Sequence, residues 1–437
     1  MLLKAPVFAA VVVFTLAVGI GANTAMFSVV NGVLLQRLPF PHAERIVDIN
    51  EVERRDIAGG GAIAPATFAD WQKMATTFDA MSAYGRRTYN VTPSSGEPVR
   101  LGGAVTSSRF FDVLGVAPIL GRAFSPSDGE PGRQVVVLSF GFWQRQFAGN
   151  PNVINQSIRL NGQSHTIVGV MPATVNFPEN SNFWASTPFD VPNCGGPVTK
   201  DPSDERGMHC LRGIARFTAG SSLAQANAEL RTMSDQLAKL YPDEASNFVG
   251  IATPLQERLV GSARTPLLVL LGAVGCVLLI VVANVANLLM ARATVRSREL
   301  AIRAAIGADR GALIRQLLTE SELIALIGGG LGILLAFWGV DLILAMDPGG
   351  VPRVAPVTVD GYALAFALAL SIATGILFGV VPAWQASRPD VQATLKDHAR
   401  GATGDGQRHL ARAGLILAEV ALSLVLFVGA GLLFRSL

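Results

Sequence analysis

The sequence predicts an α-helical transmembrane bundle, four core spans plus a fifth, with a large α+β extracytoplasmic domain inserted between spans 1 and 2. Three observations predict it. Of the 437 residues, 50% are hydrophobic and only 15% are charged, whereas an ordinary soluble chain is about 25% charged. Five charge-poor stretches qualify as helices of the ~20 apolar residues needed to cross a bilayer. A long polar segment, residues 37–264, separates the first of them from the second.

The first span falls within residues 1–36, with no charge between Lys4 and Arg37 and an apolar core from Val7 to Val30. A signal peptide is the competing reading, but its apolar core is typically ~7–15 residues, and this one is far longer. The second span lies within 265–291 and runs without charge from Pro266 to Met290. The third, within 321–343, runs from Leu323 to Val340, and a short outer loop, 344–361, follows it. The fourth lies within 362–387, from Tyr362 to Ala386. The fifth occupies 413–437, from about Ala413 to Phe434, and contains Glu419.

Small residues recur one helical turn apart, at Gly328 and Gly332 in the third span and at Gly375 and Gly379 in the fourth. Such spacing lets two helix backbones approach and gain dispersion contacts. Asn284 and Asn287 share a face of the second span and are expected to bond between helices. No charge lies mid-span in the four core spans as bounded here, which argues against an intramembrane ion pathway.

Basic residues in short loops stay cytoplasmic. The loop 292–320 carries Arg292, Arg296, Arg298, Arg303, Arg310 and Arg315, and the linker 388–412 carries Arg388, Lys396, Arg400, Arg408 and Arg412. The loop between spans 3 and 4 has Arg353 with Asp347 and Asp360. The N-terminus is therefore expected inside and 37–264 outside.

The outer region reads as α+β. Val135–Leu138, Ile158–Leu160 and His165–Val168 are short strands, the last two joined by an Asn161-Gly162 hairpin turn. Ser222–Leu240 is an amphipathic helix with Leu223, Ala226, Leu230, Met233 and Leu237 on one face and Ser221 or Ser222 as cap. A join between two subdomains is expected near Pro126–Gly132. Cys194 and Cys210 fall in this region, where a disulfide can form. Cys276, inside the second span, reads as a packing residue.

Several chemistries find no support. There is no Gly-x-x-x-x-Gly-Lys-Ser/Thr phosphate loop, no Gly-x-Ser-x-Gly elbow and no His-Glu-x-x-His motif. The five histidines are scattered, and His209 beside Cys210 reads as a surface residue. Accordingly no catalytic, cofactor-binding or metal residue is assigned, and the chain is expected not to be an enzyme. A formal net charge of +3 is too small to point to nucleic acid.

Specific stretches resemble a known family. Arg298-Glu-Leu-Ala-Ile-Arg-Ala-Ala-Ile-Gly-Ala-Asp-Arg310, Gln316-Leu-Leu-Thr-Glu320 and Gly328-Gly-Gly-Leu-Gly332 resemble the FtsX-type permease domain of ABC transporters, and Pro382-Ala-Trp-Gln-Ala-Ser-Arg388 with Leu395-Lys396 resembles its closing motif. Gly19-Ile-Gly-Ala-Asn-Thr-Ala-Met-Phe-Ser28 resembles the first span of MacB-type permeases. Phe110-Phe-Asp-Val-Leu-Gly-Val116, Leu120-Gly-Arg-Ala-Phe124 and Ile167-Val-Gly-Val-Met-Pro172 resemble the MacB periplasmic core. Ser387-Arg-Pro-Asp390 and the stretch from Glu419 to Ser436 resemble the duplicated orphan-permease branch, so the fifth span is expected to open a second repeat.

The resemblance implies a permease subunit in the bacterial plasma membrane that transmits motion from a separate ABC ATPase to the outer domain, for export or extraction of a substrate. The alternative it leaves open is an FtsX-like regulator of an extracytoplasmic protein. It places ATPase contact in the 292–320 loop, at Glu299, Leu300, Ile302, Arg303 and Gly307. The implied partners are that ATPase, membrane lipids, and a second permease copy in the same chain or as a dimer.

Overall fold

The computed structural model describes residues 6–57, 61–92, 98–195, 200–305, 309–346, 358–386 and 406–436. They form two compact units: residues 37–262, and the helices at either side in the sequence.

The 37–262 unit is built on ten strands among the described residues. They are β1 (Ile46–Glu53), β2 (Phe78–Thr92), β3 (Val99–Thr106), β4 (Leu120–Gly121), β5 (Val135–Leu138), β6 (Ser157–Leu160), β7 (Gln163–Val170), β8 (Phe183–Ser186), β9 (Arg212–Phe217) and β10 (Phe248–Pro254). The sheet order is β10-β1-β9-β2-β3-β8-β5-β7-β4, and β6 bridges β2 and β7. Most pairs are antiparallel; β3–β8 and β5–β7 are parallel. Asn161 and Gly162 turn the β6–β7 hairpin with φ of 51° and 82°, the two positive values that a type I′ turn requires.

Side chains alternate across a strand, and β1 shows the consequence. Val47 and Ile49 enter one hydrophobic cluster, which α2 (Pro65–Met74) and α5 (Leu223–Leu240) cover. Ile46 enters another, with α3 (Phe110–Leu114), and on that face β1 also places Asp48 and Asn50. A third cluster lies under α4 (Phe140–Phe147), with Phe142, Val136, Leu138, Ile158 and Leu160. Ser222 caps α5 in a reciprocal box with Gln225. Ala226, Leu230, Met233 and Leu237 are buried, and Leu223 packs at the edge. Burying a Leu or Met side chain stabilises by about 1.5–3 kcal/mol, so this face holds the helix in place. The one-turn α6 (Pro242–Ala245) follows.

The expected join near Pro126–Gly132 is not a boundary. Asp128 there is buried and receives Arg122 Nη1 at 2.5 Å and Ser125 N at 2.8 Å. This clasp fixes the segment against the sheet, which runs on past it.

The helical unit comprises α1 (Pro6–Val30), a π-helical turn (Asn31–Leu35), α7 (Leu255–Ala305, whose first residues belong to the sheet unit), α8 (Arg310–Met346), α9 (Gly361–Ala386) and α10 (Gly406–Ser436). Among the described residues, four stretches are long and apolar enough to cross a membrane: Pro6–Leu35, Ala263–Arg292, Gly311–Ile343 and Gly361–Val380. In α10 the apolar part among the described residues is Ala413–Gly429. Residues 292–305 and 310–320 of the inner connection are helical, and their Ala, Leu, Arg and Glu content favours continuation of the helices.

Candidate functional site

The helices α1, α8 and α9 meet through glycine. A Cβ built on Gly332 would lie 3.0 Å from both Ala17 O and Gly21 N, and one on Gly328 would lie 2.9 Å from Leu16 Cβ. The Gly328/Gly332 pair therefore seats α8 directly on the backbone of α1. On the facing helix, Gly379 meets Ser321 and Gly375 meets the carboxylate of Glu322, each within 2.9 Å of a hypothetical Cβ. Both spacings read from the sequence are packing surfaces.

Glu322 lies at the expected start of the third span. The sequence places the start of the third span at Leu323, just after this charge, and the helix α8 runs from Arg310 through it. Glu322 Oε1 is buried, with no hydrogen-bond partner among the described residues.

Polar groups buried in α1 are satisfied locally or by a neighbour. Thr24 and Ser28 donate to the carbonyls four residues back, at 2.8 and 2.9 Å. Asn23 Nδ2 donates to Gly19 O at 2.9 Å and across to Val274 O of α7 at 3.0 Å. This is the interhelical bond that the sequence reading assigned instead to Asn284 and Asn287. Asn284 is exposed and Asn287 Oδ1 is buried without a partner. The signal for Asn23 was a lone amide amid small residues in the first span. At the other end of the bundle, the Arg292 guanidinium stands 4.6 Å over the Phe8 ring.

The expected coupling residues lie at the far end of α7. The helical backbone includes Glu299, Leu300, Ile302 and Arg303. Their side chains, and Gly307 altogether, lie outside the described residues.

In the sheet unit, α7 begins with an ion pair. Arg258 Nε lies 3.5 Å from Asp48 Oδ2 on β1, and Asn50 Nδ2 donates to the same oxygen. Burial pushes the Asp48 carboxyl up to about 6, against the opposing pull of Arg258, Arg212 and Asn50. Cys194 and Cys210 stand with their Cα atoms 5.4 Å apart and their sulfurs joined. His209 beside them is not a surface residue. Its ring stacks on Phe248 at 4.0 Å, and Nε2 sits 3.4 Å from Glu51 Oε2, which also accepts from Ala64 N. Among the described residues, no cluster of His, Cys, Asp and Glu could hold a metal ion.

Comparison with known proteins adds the family. Residues 9–233 match the MacB-like periplasmic core domain, and residues 271–391 match the FtsX-like permease C-terminal domain. A macrolide export ATP-binding/permease protein MacB of Neisseria gonorrhoeae is 26% identical over 310 residues, 70% of this chain and 44% of that protein. The MacB protein of Hahella chejuensis is 26% identical over 386 residues, 87% of this chain and 54% of that one. The uncharacterized ABC transporter permease YknZ of Bacillus subtilis is 24% identical over 270 residues, 62% and 63% of the two chains. The chain thus spans about half the length of the MacB proteins it matches. Among solved structures, the periplasmic region of MacB from Actinobacillus actinomycetemcomitans is 15% identical, with a TM-score of 0.35, and covers 51% of this chain and 94% of its own. The extracellular domain of YknZ from Gram-positive bacteria is 12% identical, with a TM-score of 0.34, and covers 48% and 99%.

Proposed function

The chain belongs to the MacB-like periplasmic core family, with an FtsX-like permease domain after that core, and on this premise we propose that it is the permease subunit of an ABC transporter. A separate ATPase docks on the inner segment around Glu299–Gly307. Its ATP-driven motion passes along the helices to the 37–262 domain and drives export or extraction of a substrate there. The N-terminus lies in the cytoplasm, membrane lipid surrounds the spans, and a second permease copy completes the assembly.

The observation that carries the reading is α7. One helix runs from Leu255 to Ala305, 51 residues, which at 1.5 Å per residue is about 77 Å long. The hydrocarbon core of a bilayer is only ~30 Å thick. The same helix therefore holds Arg258, ion-paired to β1, and the segment Glu299–Arg303. Pro266 interrupts the hydrogen-bond ladder near the start of this helix; beyond it, a helix resists compression better than a loop, which supports transmission of displacement along the span.

The test is to purify the chain with a tag from its own host membranes and look for a bound ABC ATPase whose turnover the permease raises. Labelling of single cysteines at Arg296 and Asn193 with a membrane-impermeant reagent checks the orientation, and only the Asn193 position is expected to react in intact cells. Absence of any ATPase from the purified complex, or labelling at Arg296, would overturn the reading. Co-purification with an extracytoplasmic hydrolase, and no transport, would favour the regulatory alternative.

A further inference from the structure

The first span does not end as an α-helix. Residues Asn31–Leu35 form a π-helical turn, closed by the Gln36 N–H donating to Asn31 O at 2.9 Å. π turns are rare and need a specific reason to persist. Gly32 inside the turn eases the backbone locally but does not choose between α and π closure, and Gln36 is an ordinary extended C-cap.

Asp360 supplies a reason. Its Oδ2 accepts from Asn31 Nδ2 at 2.9 Å and from Gln36 Nε2 at 3.2 Å. Its Oδ1 accepts from Ala363 N at 2.9 Å and its carbonyl from Leu364 N at 3.0 Å, so the same residue caps α9. Asn31 is buried, and one turn further into the bundle Phe27 stacks on Phe366 with centroids 4.2 Å apart, locking α1 to α9 beneath the clasp.

The spacing decides what the clasp recognises. On an α-helix, residues five apart point about 140° away from each other, and a single carboxylate oxygen would keep at most one of the two amides. A turn closed between residues five apart brings the second side chain over the first. We infer that Asp360 is a positioning residue that selects the π form of this turn and so sets the direction in which the chain leaves the first span. Reversion to an α turn removes one residue from the loop of the helix and turns the chain beyond Gln36 by about 100°. A shift of α9 that withdraws Asp360 is therefore converted into a rotation of the chain at Gln36. The use of that rotation in transport rests on the permease reading; the clasp rests on its geometry.

The variant that separates the clasp from the cap is Asp360→Asn. Asparagine caps helices as well as aspartate, so Oδ1 keeps the Ala363 bond, but an NH2 group now faces the two donating amides. In the full chain held in lipid nanodiscs, hydrogen exchange at the Gln36 amide is expected to rise by at least about tenfold, since hydrogen bonds to a charged group are lost. Exchange at Ala363 and Leu364 should stay at the wild-type level. The exchanged pair Asn31→Asp with Asp360→Asn again sets an acceptor against a donor and should recover most of the protection. Should Asp360→Asn fail to insert, Asn31→Leu leaves the cap intact and should show the same rise at Gln36. An unchanged Gln36 amide, equal loss of protection at Ala363 and Leu364, or failure of the exchanged pair to recover would each overturn the assignment. The exchange experiment needs no ATPase, so its failure is distinguishable from failure of the permease reading.

Discussion

Gly21 of α1 and Gly332 of α8 touch backbone to backbone: a Cβ on Gly21 would lie 2.8 Å from Gly332 O, and one on Gly332 would lie 3.0 Å from Gly21 N. In lipid there is little hydrophobic force between helices, so association depends on close packing of this kind. Gly332→Val is expected to destabilise the helical unit by about 1–3 kcal/mol, the usual cost of overpacking. Gly330→Ala, at a position with nothing within 4 Å, should be neutral. Thermal unfolding of the two variants in the same detergent compares them directly.

Cys194 and Cys210 enclose a loop of sequence separation 16. In the chain-entropy model, cross-linking a loop of that size stabilises by about 3 kcal/mol. Mass spectrometry of non-reduced protein taken from intact cells should find the two peptides linked, and Cys210→Ser should lower the unfolding midpoint of the sheet unit. Recovery of both as free thiols would show that the pair is not oxidised in the cell.

Asp48 gives the sheet unit a pH dependence whose sign is fixed by its position. Its carboxyl titrates at about 6 in the folded chain, above the ordinary 3.8. Between those values the folded state holds a proton that the unfolded state has lost, so stability falls as pH rises. The gain is fully present below the unfolded value and is lost as pH rises through about 6. Exchange of the β1 and β10 amides, corrected for intrinsic rates, should therefore show greater protection at about pH 5 than at about pH 7.5. Asp48→Asn, neutral throughout, should flatten the difference. A profile that stays the same in the variant would assign the pH dependence to another group.

What the sequence makes legible is local. Asn161-Gly162 turns a hairpin because only residues tolerant of positive φ fit there. Ser222 caps α5 because its hydroxyl and Gln225 satisfy each other's neighbours. Gly328 and Gly332 mark a contact because a repeat one turn apart has few other uses in an apolar helix. What stays hidden depends on partners distant in the chain. Asn23 finds Val274, 251 residues away, and Asn31 finds Asp360, 329 away. His209 looks isolated until β1 brings Glu51 beside it. Glu322 looks like the end of a span until Gly375 of another helix proves to make room for it. Pairings of this kind follow from the order of strands and helices, and no periodicity within one segment encodes them.

The energy-coupling assignment makes the sharpest demand on the inner segment. Residues Val295–Ala305 continue α7, and α8 carries on from Arg310 through Leu318. Leu313, Ile314, Leu317 and Leu318 give the second part an apolar stripe, and Leu313 is buried. Glu299 precedes Arg303 by four residues, the order that stabilises a helix by about 0.2–0.5 kcal/mol. Two roles fit such a segment. An electrostatic anchor on anionic lipid needs only its arginines, whereas a docking site for an ATPase needs shape as well as charge. Leu300→Asp and Ile302→Asp leave every arginine in place and remove the apolar shape, so they separate the two. Both are expected to abolish co-purification of the ATPase and its stimulation, while the protein still inserts and its sheet unit still folds. Neutralising Arg296 and Arg298 together should weaken binding in a salt-dependent way without abolishing it. If ATPase stimulation survives both aspartate variants and is lost only when the arginines are neutralised, the segment is a lipid anchor and the ATPase docks elsewhere.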